Sequence, residues 1–140
     1  MKARRRRPPA AGQTATLVEI ARDARKQAHA PYSKFKVGAA LLASSGEIVT
    51  GCNIENASYG LTLCAERVAV FKAVSEGILS FQAIAVVVDS PRETAPCGAC
   101  RQVLWELCGD IWVHLKRLRR PILSRRMSEL LPLPFDVRNL

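Results

Sequence analysis

The chain has 140 residues, 49% of them apolar and 24% charged, and a formal net charge of +9. That length makes one ordinary domain with a real core, and that composition excludes wholesale disorder. No apolar run approaches the ~20 residues that span a bilayer, so no membrane partner is expected. The charge is unevenly placed. Five cations (Lys2 and Arg4 to Arg7) open the chain, and six more (Lys116, Arg117, Arg119, Arg120, Arg125, Arg126) fall in residues 113–126, with no acid in either stretch. The other ten of the 21 cations face all 12 acids. Basicity therefore belongs to two patches. No base-reading motif or aromatic interleaving accompanies them, so nucleic acid is not expected as a partner.

Residues 1–13 read as a basic, Pro/Ala-rich disordered tail, and residues 14–140 as a single domain. The tail starts with cations, like a signal sequence, but PPAAGQTAT follows where an apolar stretch belongs. A cytoplasmic protein is expected. Leu17, Ile20, Ala21, Ala24 and Ala28 share one helical face; Thr14 or Thr16 is placed to cap that helix and Pro31 to end it. Lys36 to Ala43 and Ile48 to Ile54 read as strands joined by a turn at Ser44–Gly46, a hairpin. A loop follows, then a helix from about Leu63 to Ser75, ending near Gly77. Ala83 to Val88 is a continuous apolar run, as in a strand buried on both faces. A second helix starts near Cys97 and ends before Gly109. Ile111 to Leu115 reads as a strand and Ser128 to Leu131 as a short helical turn. Strands alternating with helices point to an α/β layered fold.

Five cysteines, an odd number, argue against a disulfide framework. Cys97 and Cys100 are three apart at a helix start, so both thiols lie on one face of its first turn. The free N–H groups and positive dipole end there favour thiolate. Cys64 also falls at a helix start. Three thiolates from two helix N-termini can surround one tetrahedral zinc, and three protein ligands leave a position open for water, the mark of a catalytic site. His29 and His114 stand alone, without ligand spacing. Glu66 is the candidate acid/base. It reaches the metal water only if Cys64 sits at the irregular edge of the first turn; otherwise it is a solvated helix glutamate. Arg67 can withdraw charge from a thiolate by hydrogen bonding, or make a surface ion pair. Cys52 and Cys108 read as packed thiols.

C-x-E followed on a second helix by P-C-x-x-C is the signature of zinc nucleobase deaminases. Four stretches extend the likeness from about Thr16 to Phe135: Ala30-Pro31-Tyr32-Ser33-Lys34-Phe35-Lys36-Val37-Gly38-Ala39-Ala40-Leu41, Gly51-Cys52-Asn53-Ile54-Glu55-Asn56-Ala57-Ser58-Tyr59, Cys64-Ala65-Glu66-Arg67 and Pro96-Cys97-Gly98-Ala99-Cys100-Arg101-Gln102. With them the chain resembles the small, three-cysteine, homotetrameric cytidine deaminases of pyrimidine salvage. The resemblance implies a three-layer α-β-α sandwich around a mixed five-stranded sheet. It implies one Zn2+ per subunit on Cys64, Cys97 and Cys100. It implies Phe35 beside the pyrimidine, Asn53 and Glu55 on the ribose hydroxyls, and the Ala65 amide with Glu66 on the base edge. Tyr59 and Phe135 would complete a neighbouring subunit's site. The implied reaction is hydrolytic deamination of cytidine and 2'-deoxycytidine, with zinc-activated hydroxide attacking C4 and Glu66 shuttling protons. Two other readings are a deaminase of another aminated nucleoside, such as a blasticidin-type antibiotic, and a non-catalytic zinc-stabilised RNA-binding module. The chain departs from the family where Lys116-Arg117-Leu118-Arg119-Arg120-Pro121 replaces a polar glycine-containing turn, and in Asp136-Val137 after Phe135.

Overall fold

The computed structural model describes residues 7–140. Its elements, in chain order, are α1 (Ala11–Arg25), β1 (Val37–Ala43), β2 (Ile48–Cys52), α2 (Ala65–Ser75), β3 (Phe81–Val88), α3 (Gly98–Cys108), β4 (Trp112–Arg117), β5 (Leu123–Arg126) and α4 (Met127–Leu130). The strands form one mixed sheet in the order β2-β1-β3-β4-β5. Among the strands of the described residues, only β3 and β4 pair in parallel; α3 connects them. Helices cover both faces, α1 on one and α2 with α3 on the other, as the three-layer expectation required.

The central strand explains the layering. All of β3 except Gln82 is buried. Ala83, Ala85 and Val87 face α1, together with Ala40 and Leu42 of β1. Ile84 and Val86 face the larger core, where Val70 of α2 and Leu104 of α3 pack. Small residues on the α1 side let that helix lie close. A Cβ at Gly38 would stand 2.5 Å from the Arg25 backbone nitrogen, so only glycine fits beneath α1. The β1–β2 hairpin turns where expected: Gly46 takes φ +98° and Ala43 N donates to Glu47 O at 2.8 Å.

Three local expectations need correction. The helix begins at Ala11, so residues 11–13 are helical and not tail; residues 1–6 of that tail lie outside the described residues. Neither Thr14 nor Thr16 caps it. Ala10 holds the cap position without a side-chain bond, and the Thr16 hydroxyl donates to Gly12 O, one turn back. Nor does Pro31 end it. The helix stops at Arg25 because the next residues are drawn into a bridge, with His29 N donating to Asn53 O and Glu55 N to His29 O.

The basic segment does pair. β5 runs antiparallel to β4 with Trp112 opposite Arg126 and Leu115 opposite Leu123. Polar anchors hold it. Arg126 donates from Nε and a terminal nitrogen to Asp110 at 3.1 and 3.0 Å, and its guanidinium lies over the Trp112 ring. Buried His114 meets the Ser124 hydroxyl at 2.7 Å through Nδ1, and its Nε2 has no hydrogen-bond partner in the described chain. Burial holds its pKa below the usual histidine value. A four-residue edge strand carrying Arg125 is a poor template for further pairing.

Candidate metal centre and active site

Two helix N-termini meet on the α2/α3 face of the sheet. Cys64 is the N-cap of α2, with extended φ −72° and ψ 154°. Cys97 is the N-cap of α3, and its sulfur accepts from the Cys100 amide at 3.5 Å. N-cap geometry puts Cys64 at the irregular edge of its helix, the condition under which Glu66 can share its surroundings. Gly51 of β2 sets the position of α2. A Cβ there would lie 2.6 Å from the Ala69 nitrogen and closer still to the Ala65 carbonyl oxygen. The backbone of α2 thus rests directly on the strand.

The three sulfurs of Cys64, Cys97 and Cys100 lie within 4.8 Å of one another, the one such group of potential ligands among the described residues. Two thiolates bound ~2.3 Å from one tetrahedral zinc lie about 3.8 Å apart. The Cys64 and Cys97 sulfurs are separated by 3.7 Å. The donor set and its spacing therefore fit zinc. Arg67, a turn along α2, donates to the Cys64 sulfur at 3.3 Å. Hydrogen bonding from the Cys100 thiol, outweighing the effect of burial, acts with Arg67 and Cys97 to bring the Cys64 pKa down to about 5. Cys100 is raised in turn, first by that same bond and then by burial. One thiolate of the group is thus already favoured without an ion. Cys108 is different: burial alone pushes it up to about 12, as befits a packed thiol. Cys52 is raised by burial too.

Beside the sulfurs is a cavity of about 210 Å³, whose lining includes Phe35, Asn53, Cys64, Glu66, Val88 and Cys97. Glu66 is 4% exposed, and burial raises its carboxyl above the usual carboxylate range. Ala65 is fully buried at the start of α2, where backbone N–H groups have no intrahelical acceptor. Asn53 turns its amide to the backbone at the start of β1 and just before it: Oδ1 accepts from Val37 N at 2.8 Å and Nδ2 donates to Phe35 O at 2.7 Å. It thereby fixes Phe35 at the cavity wall.

Glu55 and Tyr59 line an adjoining hollow with Tyr32, Ser33 and Thr62. The Glu55 carboxylate accepts from the amides of Tyr32 and Ser33 at 3.0 and 3.1 Å and from the Ser33 hydroxyl. These bonds lower its pKa, the Ser33 hydroxyl contributing most. Ser33 had no assigned role in the sequence; it lay inside a recognised stretch, but nothing in its spacing pointed to Glu55. The walls formed by Val37, Val86 and Val88 were also missed, because strand valines read simply as core. Phe135 is not brought to this cavity. It lines a separate hollow with Gln102, Leu107 and Val137, and is 62% exposed.

The family model for the cytidine and deoxycytidylate deaminase zinc-binding region matches residues 12–115. The cytidine deaminase of Sporosarcina psychrophila is 52% identical over 125 residues, covering 89% of this chain and 92% of the relative. That of Halalkalibacterium halodurans is 54% identical over 125 residues, covering 89% and 95%. Among solved structures, a cytidine deaminase from Burkholderia pseudomallei superposes with a TM-score of 0.84 at 48% identity, covering 86% of this chain and 98% of that one. A match over most of the chain, with the sulfur triad and Glu66 inside the matched span, makes this protein a member of the cytidine and deoxycytidylate deaminase family.

Proposed function

We propose that the chain is a zinc-dependent hydrolase that deaminates cytidine and 2'-deoxycytidine to uridine and 2'-deoxyuridine, releasing ammonia. The observation that carries this reading is the buried Glu66 carboxyl in one small cavity with Cys64 and Cys97, two of the three clustered cysteines. When bound by Cys64, Cys97 and Cys100, zinc supplies a Lewis acid that makes water acidic near neutral pH. Glu66 takes the proton of the attacking water and gives it to ring N3, which makes C4 electrophilic. Glu66 then protonates the departing amine. Arg67 draws charge from Cys64, so that three thiolates do not quench the metal's acidity.

Phe35 presents its ring to the pyrimidine. The Ala65 amide, free of an intrahelical acceptor, holds the base edge with Glu66. Asn53 spends one donor on Phe35 O and one lone pair on Val37 N, and keeps one of each for a ribose hydroxyl. Glu55 accepts three bonds from the 32–33 backbone and hydroxyl, leaving about one acceptor position for the sugar. Tyr59, 75% exposed, and Phe135 are available to a second subunit. We assign them to a neighbour's site in a homotetramer. The domain, which α1 extends back to Ala11, then acts as one catalytic unit in pyrimidine salvage. A reducing cytoplasm suits the ligand thiols.

The test is ammonia release from cytidine by the purified, zinc-loaded protein, with Glu66→Ala alongside. The variant is expected to keep its fold and zinc and to lose turnover by at least about 10²-fold. Loss of zinc from the variant would make Glu66 structural. A folded, zinc-loaded parent without turnover would sink the assignment.

A further inference from the structure

An open cleft of about 530 Å³ lies apart from the active cavity, lined by residues that include Asp89, Ser90, Arg117, Arg119 and Arg120. It sits just beyond the carboxyl ends of β3 and β4, the parallel pair, where Val88 stands opposite Arg117. Crevices outside the carboxyl ends of parallel strands are where α/β sheets bind ligands. The floor is ordered. Leu118 N continues the ladder to Val88 O at 3.1 Å, Arg120 N closes the turn on Arg117 O at 3.0 Å, and the Lys116 ammonium bonds Arg120 O.

The charges in this cleft are unbalanced. Arg117 is held by Pro91 O and by the Glu93 carboxylate, at 2.8 and 2.9 Å. Its Nε is buried and has no hydrogen-bond partner in the described chain. Arg119 and Arg120 are exposed, and among the described residues neither guanidinium meets an acid or a backbone carbonyl. Asp89 is the one carboxylate among the lining residues. Rigidly based guanidinium forks with spare donors match the oxygens of a phosphate group bidentately. A cleft of this size suits a small molecule. No aromatic ring lines it to stack a nucleic-acid base, which argues against single-stranded nucleic acid as its occupant.

We propose that this cleft binds a phosphorylated small molecule, its phosphate oxygens held by Arg119 and Arg120 with the Ser90 hydroxyl beside them. The site is separate from the nucleoside cavity, since no residue lines both. The two do share a loop: Pro91 and Glu93, bonded by Arg117, lead into Thr94, Ala95 and Cys97 of the cavity wall.

The experiment is a calorimetric titration of the full-length, zinc-loaded protein with inorganic pyrophosphate at about 0.15 M salt, where diffuse attraction is largely screened. Three variants accompany it: Arg119→Ala with Arg120→Ala, Arg125→Ala, and Arg4 to Arg7 all changed to Ala. One pyrophosphate per subunit is expected. The double variant should bind at least about tenfold more weakly, having lost charge-assisted bonds, with an unchanged melting temperature. Arg125→Ala and the tail variant should bind like the parent. Absence of heat with the parent protein would overturn the site. So would equal weakening in all three variants, which would mean general attraction to a basic chain. A single-stranded oligonucleotide that binds through Arg119 and Arg120 where pyrophosphate does not would overturn the small-molecule assignment in favour of nucleic acid.

Discussion

Gly51→Ala is the substitution whose consequence can be followed furthest from the geometry. The added methyl carbon would stand 2.6 Å from the Ala69 nitrogen, and ordinary contact begins at 3.4 Å. Both obstacles, Ala69 N and Ala65 O, belong to helix backbone, so no side chain can swing aside. Helix α2 must move by roughly 1 Å, at about 1–3 kcal/mol for overpacking. The movement is carried by the same turn that presents Cys64, Ala65 and Glu66. A misplacement of ~1 Å in a catalytic group lowers rates about 10²-fold. Cys64 would also leave its 3.7 Å spacing from Cys97, so zinc should be held less tightly. Urea denaturation, zinc content after dialysis against a chelator, and kcat/KM for cytidine measure the three effects. A variant with the parent's unfolding midpoint, zinc content and kcat/KM would refute the claim that backbone contact between α2 and β2 positions the site.

Gly12→Ala is the converse case: it lies in α1 with open space around its Cα, and should raise stability by about 1 kcal/mol in the same denaturation assay. Arg67→Ala removes the donor to the Cys64 sulfur, and zinc affinity should fall about 10- to 100-fold in competition with a chromophoric chelator. Asp110→Asn should destabilise by about 1–3 kcal/mol, because the Arg126 guanidinium and the Ser128 amide lose a charged acceptor. Burial works against ionisation of Asp110, but the bonds from Ser128 and Arg126 together hold its pKa below the usual value. A carboxylate lowered on folding stabilises above its unfolded pKa of about 3.9, and loses that contribution as pH falls toward the folded value. Urea midpoints across an acid pH series should therefore drop less steeply in Asp110→Asn than in the parent.

The parts of the molecule legible in the sequence are those whose causes are local. Cys64 and Cys97 could be placed at helix starts because loop residues precede each and apolar helical spacing follows. β3 could be read as doubly covered because its whole run is apolar. β5 could not. Leu123-Ser124-Arg125-Arg126 shows no alternation, and what holds it is Asp110, Trp112 and His114, between ten and sixteen residues earlier. The end of α1 was misplaced for a similar reason. Pro31 is a valid stop, but the chain left the helix six residues sooner, to bridge His29 with Ile54. The roles of Asn53 and Glu55 as anchors of the Phe35 loop depend on contacts about 16 to 23 residues apart, and no spacing encodes them.

The composition of the site follows from its charge. Three clustered thiols, two of them lining the cavity, crowd a buried carboxyl, and four negative charges there would repel. The fold answers with two helix N-termini, each offering a positive dipole end, and with Arg67 on Cys64. Burial completes the answer by raising Glu66, so that its carboxyl holds a proton more readily than an exposed glutamate would. A proton shuttle needs that tendency, and a purely structural metal site does not. All these compensations act over the first turns of α2 and α3, where dipole effects are confined. The chemistry therefore depends on how closely two helix starts approach each other, and on the α2 side that is set by the missing side chain at Gly51.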